Sequence, residues 1–287
     1  MAEFDTVAIV GVGLIGGSIG RALRERKLAR EVIGIGRREA GLKSAQELGA
    51  IDRGTMNLHE GVAEAQLVVV ATPVDSIVDF VSQAAAASAN RSLVTDAGST
   101  KGEIVRSVEA LLVDRRDGPR FVGSHPLAGD HRTGVEFARG DLFDGRKVVV
   151  TPTEKSHRAA VVEISGFWQS LGAEVVTMSP EEHDRALAAT SHLPHLIAAA
   201  LALSTPKDLL PLAASGWRDT TRVAGGDPAM WRAIFASNRQ EVLDALKRFE
   251  RWTGEIREIL ALGQDERLLR ILERANWMKA NRDSLGD

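Results

Sequence analysis

Short apolar runs alternate with helical patterns over the first half of the chain. Four runs are almost continuous in aliphatic residues: Val7–Val10, Val32–Ile35, Leu67–Ala71 and Leu93–Thr95. Such runs are typical of strands buried on both faces of a parallel sheet. Amphipathic segments typical of crossover helices lie between or after them: Leu14–Leu28, Ala40–Leu48, Ser76–Ala89 and Lys101–Val113. This alternation predicts a doubly wound α/β domain of the Rossmann type.

The pattern continues and then changes near residue 178. Further strands are predicted at Phe121–Gly123, Lys147–Val150 and, as an edge strand, Ala173–Thr177, with a helix at Ser156–Leu171. Ser179, Pro180 and Glu182 then form a helix start, with a capping residue, a proline at the first helical position and a capping-box glutamate. Almost everything after them is helical in pattern. We therefore expect a dinucleotide-binding domain at 1–178 and an all-helical domain at 179–287.

A glycine-rich loop follows the first predicted strand and opens the first helix. Gly11, Gly13 and Gly16 match the spacing G-x-G-x-x-G, with Leu14 and Ile15 at the helix start. The first glycine permits the turn, the second lets the backbone approach a pyrophosphate, and the third allows close packing of helix and strand. The amides and dipole of the helix N-terminus favour phosphate. The loop therefore predicts dinucleotide binding.

Other residues extend the predicted cofactor site. Thr72 and Pro73, which directly follow the run Leu67–Ala71, are assigned to it. The second strand normally ends in an acid that holds the ribose 2′-hydroxyl, but here the strand tip, Gly36, carries no acid and is followed by Arg37 and Arg38. A guanidinium binds a 2′-phosphate that an acid would repel. We therefore predict NADP rather than NAD; the alternative is that both arginines are ordinary solvated charges.

Composition excludes several classes of function. The 287 residues carry a formal net charge of −3, which argues against a nucleic-acid surface. No cysteine is present, so disulfides, thiolate nucleophiles and cysteine metal sites are excluded. The acidic N-terminus does not resemble a signal peptide, and apolar runs such as Leu196–Leu203 are too short to span a bilayer. We expect a cytoplasmic protein that does not enter a membrane.

Residue types that a core does not need are concentrated in four parts of the chain. They are Thr95–Lys101, which contains Ser99; Gly123–Gly129, around His125; His183 with Ser191–His195; and Gly216–Val223 with Asp227–Arg232. His125 directly follows a predicted strand of the nucleotide-binding sheet. Ligands of such sheets bind at the carboxyl ends of the strands. His125 is therefore expected beside the reactive ring of the cofactor.

Together these segments resemble the prephenate/arogenate dehydrogenase family of tyrosine biosynthesis. The resemblance rests, in this order, on G-x-G-L-I-G-G-S, D-x-G-S-x-K, S-H-P-x-A-G, S-H-L-P-H, R-D-x-T-R and D-P-x-M-W, and covers Val7 to about Phe249. It implies an oxidative decarboxylation, in which a cyclohexadienol loses hydride and CO2 and its ring becomes aromatic. It also implies a homodimer formed through the helical domain, and no metal.

The resemblance implies a role for each matching residue. His125 matches the base that polarises the ring hydroxyl, and Ser99 matches a serine that hydrogen-bonds at that hydroxyl and orients the histidine. Arg222 matches the arginine that holds a substrate carboxylate, and His195 matches a residue facing the substrate side chain. His192, three residues before His195, is assigned to the substrate site, with a structural hydrogen bond as the alternative.

Other conspicuous residues have simpler interpretations. We expect Arg218 to form a salt bridge with the neighbouring Asp219, with a role beside Arg222 at the substrate carboxylates as the alternative. We expect His183 to cap a helix or pack in the core, and Trp231 to be a core residue. His183, His192 and His195 could be read as metal ligands. Because no carboxylate cluster accompanies them, we expect no metal site.

The sequence leaves three hypotheses for the function. The first is an NADP-preferring prephenate dehydrogenase, with arogenate dehydrogenase as the alternative. The second is a hydroxyacid or imine reductase of similar architecture, which would not require the motifs around His125 and His195. The third is a dinucleotide-sensing regulator without catalysis, which would predict damage at Ser99, His125 or Arg222. Asp130-His131-Arg132 departs from the polar pair that many family members carry, and does not decide between the two substrates.

Overall fold

The computed structural model describes residues 4–88, 92–112, 118–129 and 132–281. These residues divide into two compact units, 1–239 and 240–287. Several sequence-based expectations lie outside the described residues: the ends of two predicted helices at Ala89 and Val113, and the loop residues Asp130 and His131.

A single sheet forms the centre of the first unit. Over the described residues its strands are β1 (Phe4–Val10), β2 (Ala29–Ile35), β3 (Arg53–Thr55), β4 (Leu67–Val70), β5 (Leu93–Asp96), β6 (Arg120–Pro126), β7 (Lys147–Thr151) and β8 (Glu174–Thr177). Their order in the sheet is β3-β2-β1-β4-β5-β6-β7-β8. All neighbouring strands are parallel except β6 and β7, which are antiparallel.

Helices cover both faces of this sheet. They are α1 (Leu14–Glu25), α2 (Glu39–Glu47), α3 (Leu58–Val62), α4 (Val74–Ala87), α5 (Gly102–Leu112) and α6 (Arg158–Ser170). Alternate residues of one strand enter different cores: Val7 and Ile9 belong to a cluster with α1 and α6, whereas Ala8 and Val10 belong to one with α4 and α5. Burial on both faces explains why the strands read as continuous apolar runs.

This architecture confirms the doubly wound α/β domain expected from the sequence, with two additions. The short strand β3 contains no apolar run, so its sequence carries no strand signal. The antiparallel pairing of β6 and β7 was not foreseen either. Among the described residues between these strands, one turn of 3-10 helix, Val135–Phe137, takes the place of a crossover helix. An antiparallel neighbour needs no crossover.

The rest of the first unit is helical. It contains α7 (Pro180–Leu187), a π-helical segment (Ala188–His192), α8 (Leu193–Ser204), α9 (Ser215–Thr221) and α10 (Pro228–Ser237), with 3-10 turns at Lys207–Leu212 and Arg222–Gly225. The expected capping box is present: the Ser179 side chain accepts a bond from the Glu182 amide, and the Glu182 carboxylate accepts one from the Ser179 amide. The change to helices after β8 is therefore confirmed.

The second unit consists of two helices. These are α11 (Arg239–Ala261), which begins at the last residue of the first unit, and α12 (Asp265–Ala280). Gly263, with a φ of +63°, lies in the turn between them, a conformation that favours glycine. Arg267 and Glu255 form an ion pair at 3.5 Å between the two helices.

One continuous helical stretch, Pro180–Ser204, is 25 residues long and apolar enough to cross a membrane by length and composition alone. Sequence runs such as Leu196–Leu203 had suggested shorter apolar segments. Only 22% of the most apolar window of this stretch is buried. A single stretch of this kind is weak evidence for a membrane span. It also contains His183, His192 and His195.

Candidate active site

His125 is held at the end of β6 by a buried polar cluster on the opposite face of the strand. Because side chains alternate along a strand, Ser124 points into the interior while His125 points to the other face. The Ser124 hydroxyl donates to the Asp96 carbonyl oxygen at 2.6 Å and accepts from the Trp168 indole at 2.9 Å. His125 pairs in register with Val149 of β7. The strand carrying the histidine is therefore fixed on both sides.

A fully buried ion pair, between Lys101 and Asp96, contacts the backbone of the same strand. The Lys101 ammonium donates to the Asp96 carboxylate and, at 2.8 Å, to the Ser124 carbonyl oxygen. Burial lowers the pKa of Lys101, while the charge of Asp96 opposes this shift. Asp96 also accepts bonds from the amides of Ser124 and Gly98. The pair thus joins β5, β6 and the start of α5. The sequence motif containing Ser99 gave no indication that its lysine and aspartate would be buried together.

The residue that directly contacts His125 is His183, from the first turn of α7. The Nδ1 atom of His125 and the Nε2 atom of His183 are 2.8 Å apart. The Nδ1 atom of His183 lies 2.8 Å from an oxygen of Asp184. His183 is fully buried. We had expected capping or core packing for His183; the structure instead places it between the candidate base and a carboxylate.

These contacts and burial set the charge states of the three residues. Burial, with the neighbouring His183 and Lys101, holds the pKa of His125 well below 6.5. Burial also lowers the pKa of His183, against an opposing hydrogen bond from Asp184. Burial alone would raise the pKa of Asp184, but bonds from His183 and from the amides of Lys101 and Gly102 lower it overall. At neutral pH the site contains two neutral imidazoles and one carboxylate.

Ser99 lies in the loop before α5 and is partly buried. Within the part of the chain that the structure describes, its side chain makes no hydrogen bond, so it does not orient His125 here. The hydrogen bond that orients the ring comes from His183. This differs from the role that the family resemblance implied for Ser99.

Two more candidate histidines lie at the junction of the π-helical segment and α8: His192 ends the segment, and His195 lies in the first turn of α8. Pro194 lies in the first turn of α8, where its missing N–H is tolerated. The segment directly before α8 is a widened, π-helical turn, Ala188–His192. His192 is buried, and its Nδ1 atom lies 3.1 Å from the Asn238 amide. Burial lowers its pKa to about 4. This is the structural hydrogen bond that we had kept as the alternative role of His192.

His195 is more accessible and stacks on an aromatic ring. The His195 and Trp231 rings are 3.4 Å apart between centroids, at an interplanar angle of 26°. Trp231 also packs against the buried cluster between the sheet and α4, so it is both a core residue and a support for His195. Burial and the positive charge of Arg222 lower the pKa of His195. His195 and Arg222 are therefore close enough to influence each other.

The two candidate anchors for substrate carboxylates are exposed. Arg222 begins the 3-10 turn after α9, and Arg218 lies one helical turn earlier. Among the described residues, neither arginine forms an ion pair; in particular, the expected Arg218–Asp219 salt bridge is absent. Both guanidinium groups are thus available to an anionic ligand.

The three glycines of the loop differ in what a side chain would meet. A Cβ on Gly11, where φ is +93°, would lie 2.7 Å from the Ala71 carbonyl oxygen, and one on Gly16 would lie 2.1 Å from the Gly11 oxygen. A Cβ on Gly13 would meet nothing within 4 Å. Packing therefore explains Gly11 and Gly16. Packing does not explain Gly13, at which the loop motif predicts a close approach of a pyrophosphate to the backbone.

Two further observations fit a bound dinucleotide. The N-terminus of α1, where Leu14 and Ile15 lie, has no side-chain cap, so its first amides are free for phosphate. The Thr72 hydroxyl is buried and has no hydrogen-bond partner within the described residues. Thr72 lies beside Gly11, and Pro73 directly precedes α4. Residues predicted for the cofactor from three chain segments are therefore brought to the carboxyl end of the central strands.

Arg37 and Arg38 follow the end of β2 after one residue, Gly36. Both side chains are exposed, and in the described ranges neither has an ion-pair partner. Glu39 begins α2 and is exposed as well. No group of three or more His, Asp or Glu residues that could hold a metal ion occurs among the residues that the structure covers.

Comparisons with known proteins agree with this arrangement. Residues 19–177 match the family model of the prephenate dehydrogenase nucleotide-binding domain, and residues 179–274 match that of the prephenate dehydrogenase dimerization domain. Prephenate dehydrogenase of Bacillus subtilis (strain 168) is 36% identical over 98% of this chain and 76% of its own length.

Two solved structures are similar over almost their whole length. A crystal structure of prephenate dehydrogenase from A. aeolicus, in complex with hydroxyphenyl propionate and NAD+, has a TM-score of 0.89 and 33% identity, covering 96% of this chain and 98% of that one. Synechocystis arogenate dehydrogenase has a TM-score of 0.82 and 28% identity, covering 98% and 99%. The nucleotide-binding domain indicates a nicotinamide dinucleotide as cofactor. The chain belongs to the prephenate dehydrogenase family.

Proposed function

We propose that this chain catalyses the oxidative decarboxylation of prephenate to 4-hydroxyphenylpyruvate, with NADP as the preferred hydride acceptor. The observation that carries the proposal is the state of His125. This residue lies at the end of β6, is partly accessible, and has a pKa held well below 6.5 by burial, so that it is neutral and able to accept a proton at physiological pH.

Each polar residue of the site has a part in this proposal. His125 takes the proton of the ring hydroxyl: the O–H bond breaks, an N–H bond forms, and the oxygen electron pair forms the carbonyl as the C–H bond at the same carbon breaks and releases hydride. A nicotinamide held in the dinucleotide site would accept that hydride. Ser99 is assigned to the same hydroxyl. Carbon dioxide then leaves from the opposite ring carbon: the electron pair of the broken C–C bond enters the ring, which becomes aromatic, and the former carbonyl oxygen takes a proton back to give the phenol. Aromatisation drives this step without a metal.

The substrate carries two carboxylates, and the helical residues offer cationic and polar groups for them. Arg222, exposed and without an ion pair among the described residues, is assigned to a carboxylate, which a guanidinium can hold with two parallel hydrogen bonds. His195, held flat against Trp231, is assigned to the side chain of the substrate. His192, which is hydrogen-bonded to Asn238, is assigned to the same site as a buried residue that supports it.

The preference for NADP is supported by the end of β2. No acid stands at the strand tip, and the exposed Arg37 and Arg38 are without ion-pair partners in the described ranges. A 2′-phosphate would be bound by either guanidinium, whereas a 2′-hydroxyl gains little from them. Gly11, Gly13 and Gly16, with Leu14, Ile15, Thr72 and Pro73, are assigned to the rest of the dinucleotide.

We further propose that the chain works as a cytoplasmic homodimer. The match to a dimerization domain supports the dimer, and several large apolar side chains of that segment are exposed in the single chain. The boundary near residue 178 is proposed to separate the nucleotide-binding part from the part that dimerises and binds substrate.

A direct assay tests the proposed reaction. Purified protein is given prephenate or arogenate with NADP or NAD, and the absorbance of the reduced nicotinamide is followed. We expect the highest kcat/KM with prephenate and NADP. Arogenate dehydrogenation is the second candidate, because the Synechocystis arogenate dehydrogenase is similar over the full chain. Turnover with arogenate alone would replace the first proposal by the second, and no turnover with any of the four pairs would contradict both.

A further inference from the structure

A chain of two hydrogen bonds extends from the candidate base into the protein. It runs from His125 through His183 to Asp184, with a donor–acceptor distance of 2.8 Å at each step. The His125 and His183 rings meet edge to face at 67°, with their centroids 5.1 Å apart. His183 is fully buried and Asp184 nearly so. The second histidine therefore has no access to solvent or substrate, and its contacts lie within the site.

The ionised state of Asp184 determines which nitrogen atoms of His183 and His125 carry a hydrogen. Asp184 also accepts the backbone amides of Lys101 at 2.7 Å and Gly102 at 2.8 Å, which favours its ionised form. An ionised carboxylate only accepts hydrogen bonds, so the Nδ1 atom of His183 must carry a hydrogen. In a neutral ring this leaves Nε2 of His183 as an acceptor. The Nδ1 atom of His125 must then be the donor.

We propose that His183 and Asp184 are positioning residues that hold His125 in its Nδ1–H tautomer, so that its Nε2 lone pair faces the substrate hydroxyl. This inference rests on the proposed role of His125 as base. The opposite tautomer would place a hydrogen on Nε2 and leave no acceptor for the substrate proton. The arrangement also lets the Asp184 carboxylate stabilise, through His183, the positive charge that His125 gains. An aspartate that orients a catalytic histidine through one hydrogen bond acts by the same logic.

Other titratable groups near His125 cannot replace this hydrogen-bond chain. Lys101 lies close, but its ammonium is bonded to Asp96 and to the Ser124 carbonyl oxygen. His192 is also near, but its Nδ1 atom contacts Asn238. Within the described residues, His183 is therefore the hydrogen-bond partner that sets which nitrogen of His125 is free.

The tautomer of His125 can be measured without substrate. Protein labelled with ¹⁵N at histidine is studied by NMR at neutral pH, and the His125 signals are assigned by their loss in His125→Asn. We expect a protonated Nδ1 and an unprotonated Nε2 in the wild type. The opposite tautomer, or a mixture of the two, would overturn the proposal. Because no turnover is involved, this result is independent of whether prephenate is the substrate.

Two substitutions of His183 test the consequence for the reaction. His183→Gln keeps a carbonyl oxygen that can accept from His125, whereas His183→Phe keeps a ring without an acceptor. We expect kcat to fall by at least about tenfold in His183→Phe and much less in His183→Gln, with KM and dinucleotide affinity changed little in both. Equal losses of kcat in the two variants, or full activity in His183→Phe, would contradict the role of the hydrogen bond.

A matched aspartate provides the control. Asp141 is exposed and forms an ion pair with Arg139 at 3.5 Å. Exposed ion pairs contribute little to stability. Asp141→Asn should therefore leave kcat unchanged, while Asp184→Asn should lower it and allow His125 to take the opposite tautomer. Equal kcat in the two aspartate variants would overturn the part assigned to Asp184.

Discussion

At the scale of single residues, the proposed function depends on a histidine that the fold keeps neutral. Burial and the neighbouring His183 and Lys101 lower the pKa of His125 and so disfavour its protonated form. A base must be unprotonated to act. The environment of His125 therefore keeps the proposed base in its active, neutral form at neutral pH, and the acid limb of the pH–rate profile should lie at low pH.

The first prediction concerns this pH dependence. Because the pKa of His125 lies well below 6.5, the neutral fraction is close to one at pH 7 and falls only as pH drops through the lowered pKa. We expect kcat/KM to be constant around neutrality, with an acid limb whose midpoint lies below 6.5. Initial rates from acid to neutral pH check this. A midpoint at or above 6.5 would mean that His125 is not held in the way described.

The second prediction concerns the cofactor. Replacing both Arg37 and Arg38 by Ala removes charge-assisted bonds to a 2′-phosphate, each of which contributes about 1.5–3 kcal/mol. Loss of one such bond raises KM for NADP about 10–100-fold, so we expect a rise of at least this size while KM for NAD changes little. Arg158→Ala, an exposed arginine of α6, serves as the control. An equal rise for both dinucleotides would rule out recognition of the phosphate.

At the scale of elements, the glycine loop and the helical segments differ in how far sequence determines them. Gly11, Gly13 and Gly16 form a local motif whose fold follows from adjacent residues, so the loop could be predicted. The contact of His125 with His183 joins residues 58 positions apart and depends on how α7 packs against β6. Periodicity identifies α7 but not what it packs against, and a histidine near a helix start has several ordinary roles.

The loop itself provides a matched pair of variants. In Gly13→Ala the new Cβ meets no protein atom within 4 Å, so the fold should persist while dinucleotide affinity falls. In Gly16→Ala the Cβ would lie 2.1 Å from the Gly11 oxygen, an overlap that should destabilise the fold by about 1–3 kcal/mol or more. Thermal unfolding and dinucleotide titration of both proteins separate the two effects. Wild-type affinity in Gly13→Ala would argue against a pyrophosphate at this position.

At the scale of the whole molecule, the sequence sufficed for the longer strands and helices of the sheet domain but not for β3, for α3 or for all strand pairings. The parallel strands β1, β2, β4 and β5 could be predicted because burial on both faces leaves continuous apolar runs. The pairing of β6 with β7 could not, because an apolar run carries no information on the direction of its neighbour. The sequence also does not show which apolar residues of the helical segment remain exposed after folding. Leu203 and Leu212 are 88% and 81% exposed, and both lie in the segment that matches the dimerization domain.

This exposure leads to a prediction about assembly. Apolar side chains exposed to this extent are expected to be covered by a partner subunit. Leu203→Lys should shift the protein from dimer to monomer at micromolar concentration, as measured by light scattering after size-exclusion chromatography. Val162→Lys, at a 72% exposed position on α6 outside the dimerization segment, should remain dimeric. A fully dimeric Leu203→Lys protein would place the interface elsewhere.

The most direct test of the account is the kcat of His125→Asn for prephenate with NADP, measured together with the affinity of the same protein for the dinucleotide. Loss of a general base lowers rates by about 10²–10⁴-fold. We predict a loss of kcat in this range with dinucleotide affinity unchanged. The exposed His157→Asn serves as a matched control that should retain wild-type kcat. A His125→Asn protein with the wild-type kcat would contradict the assignment of His125 as the base.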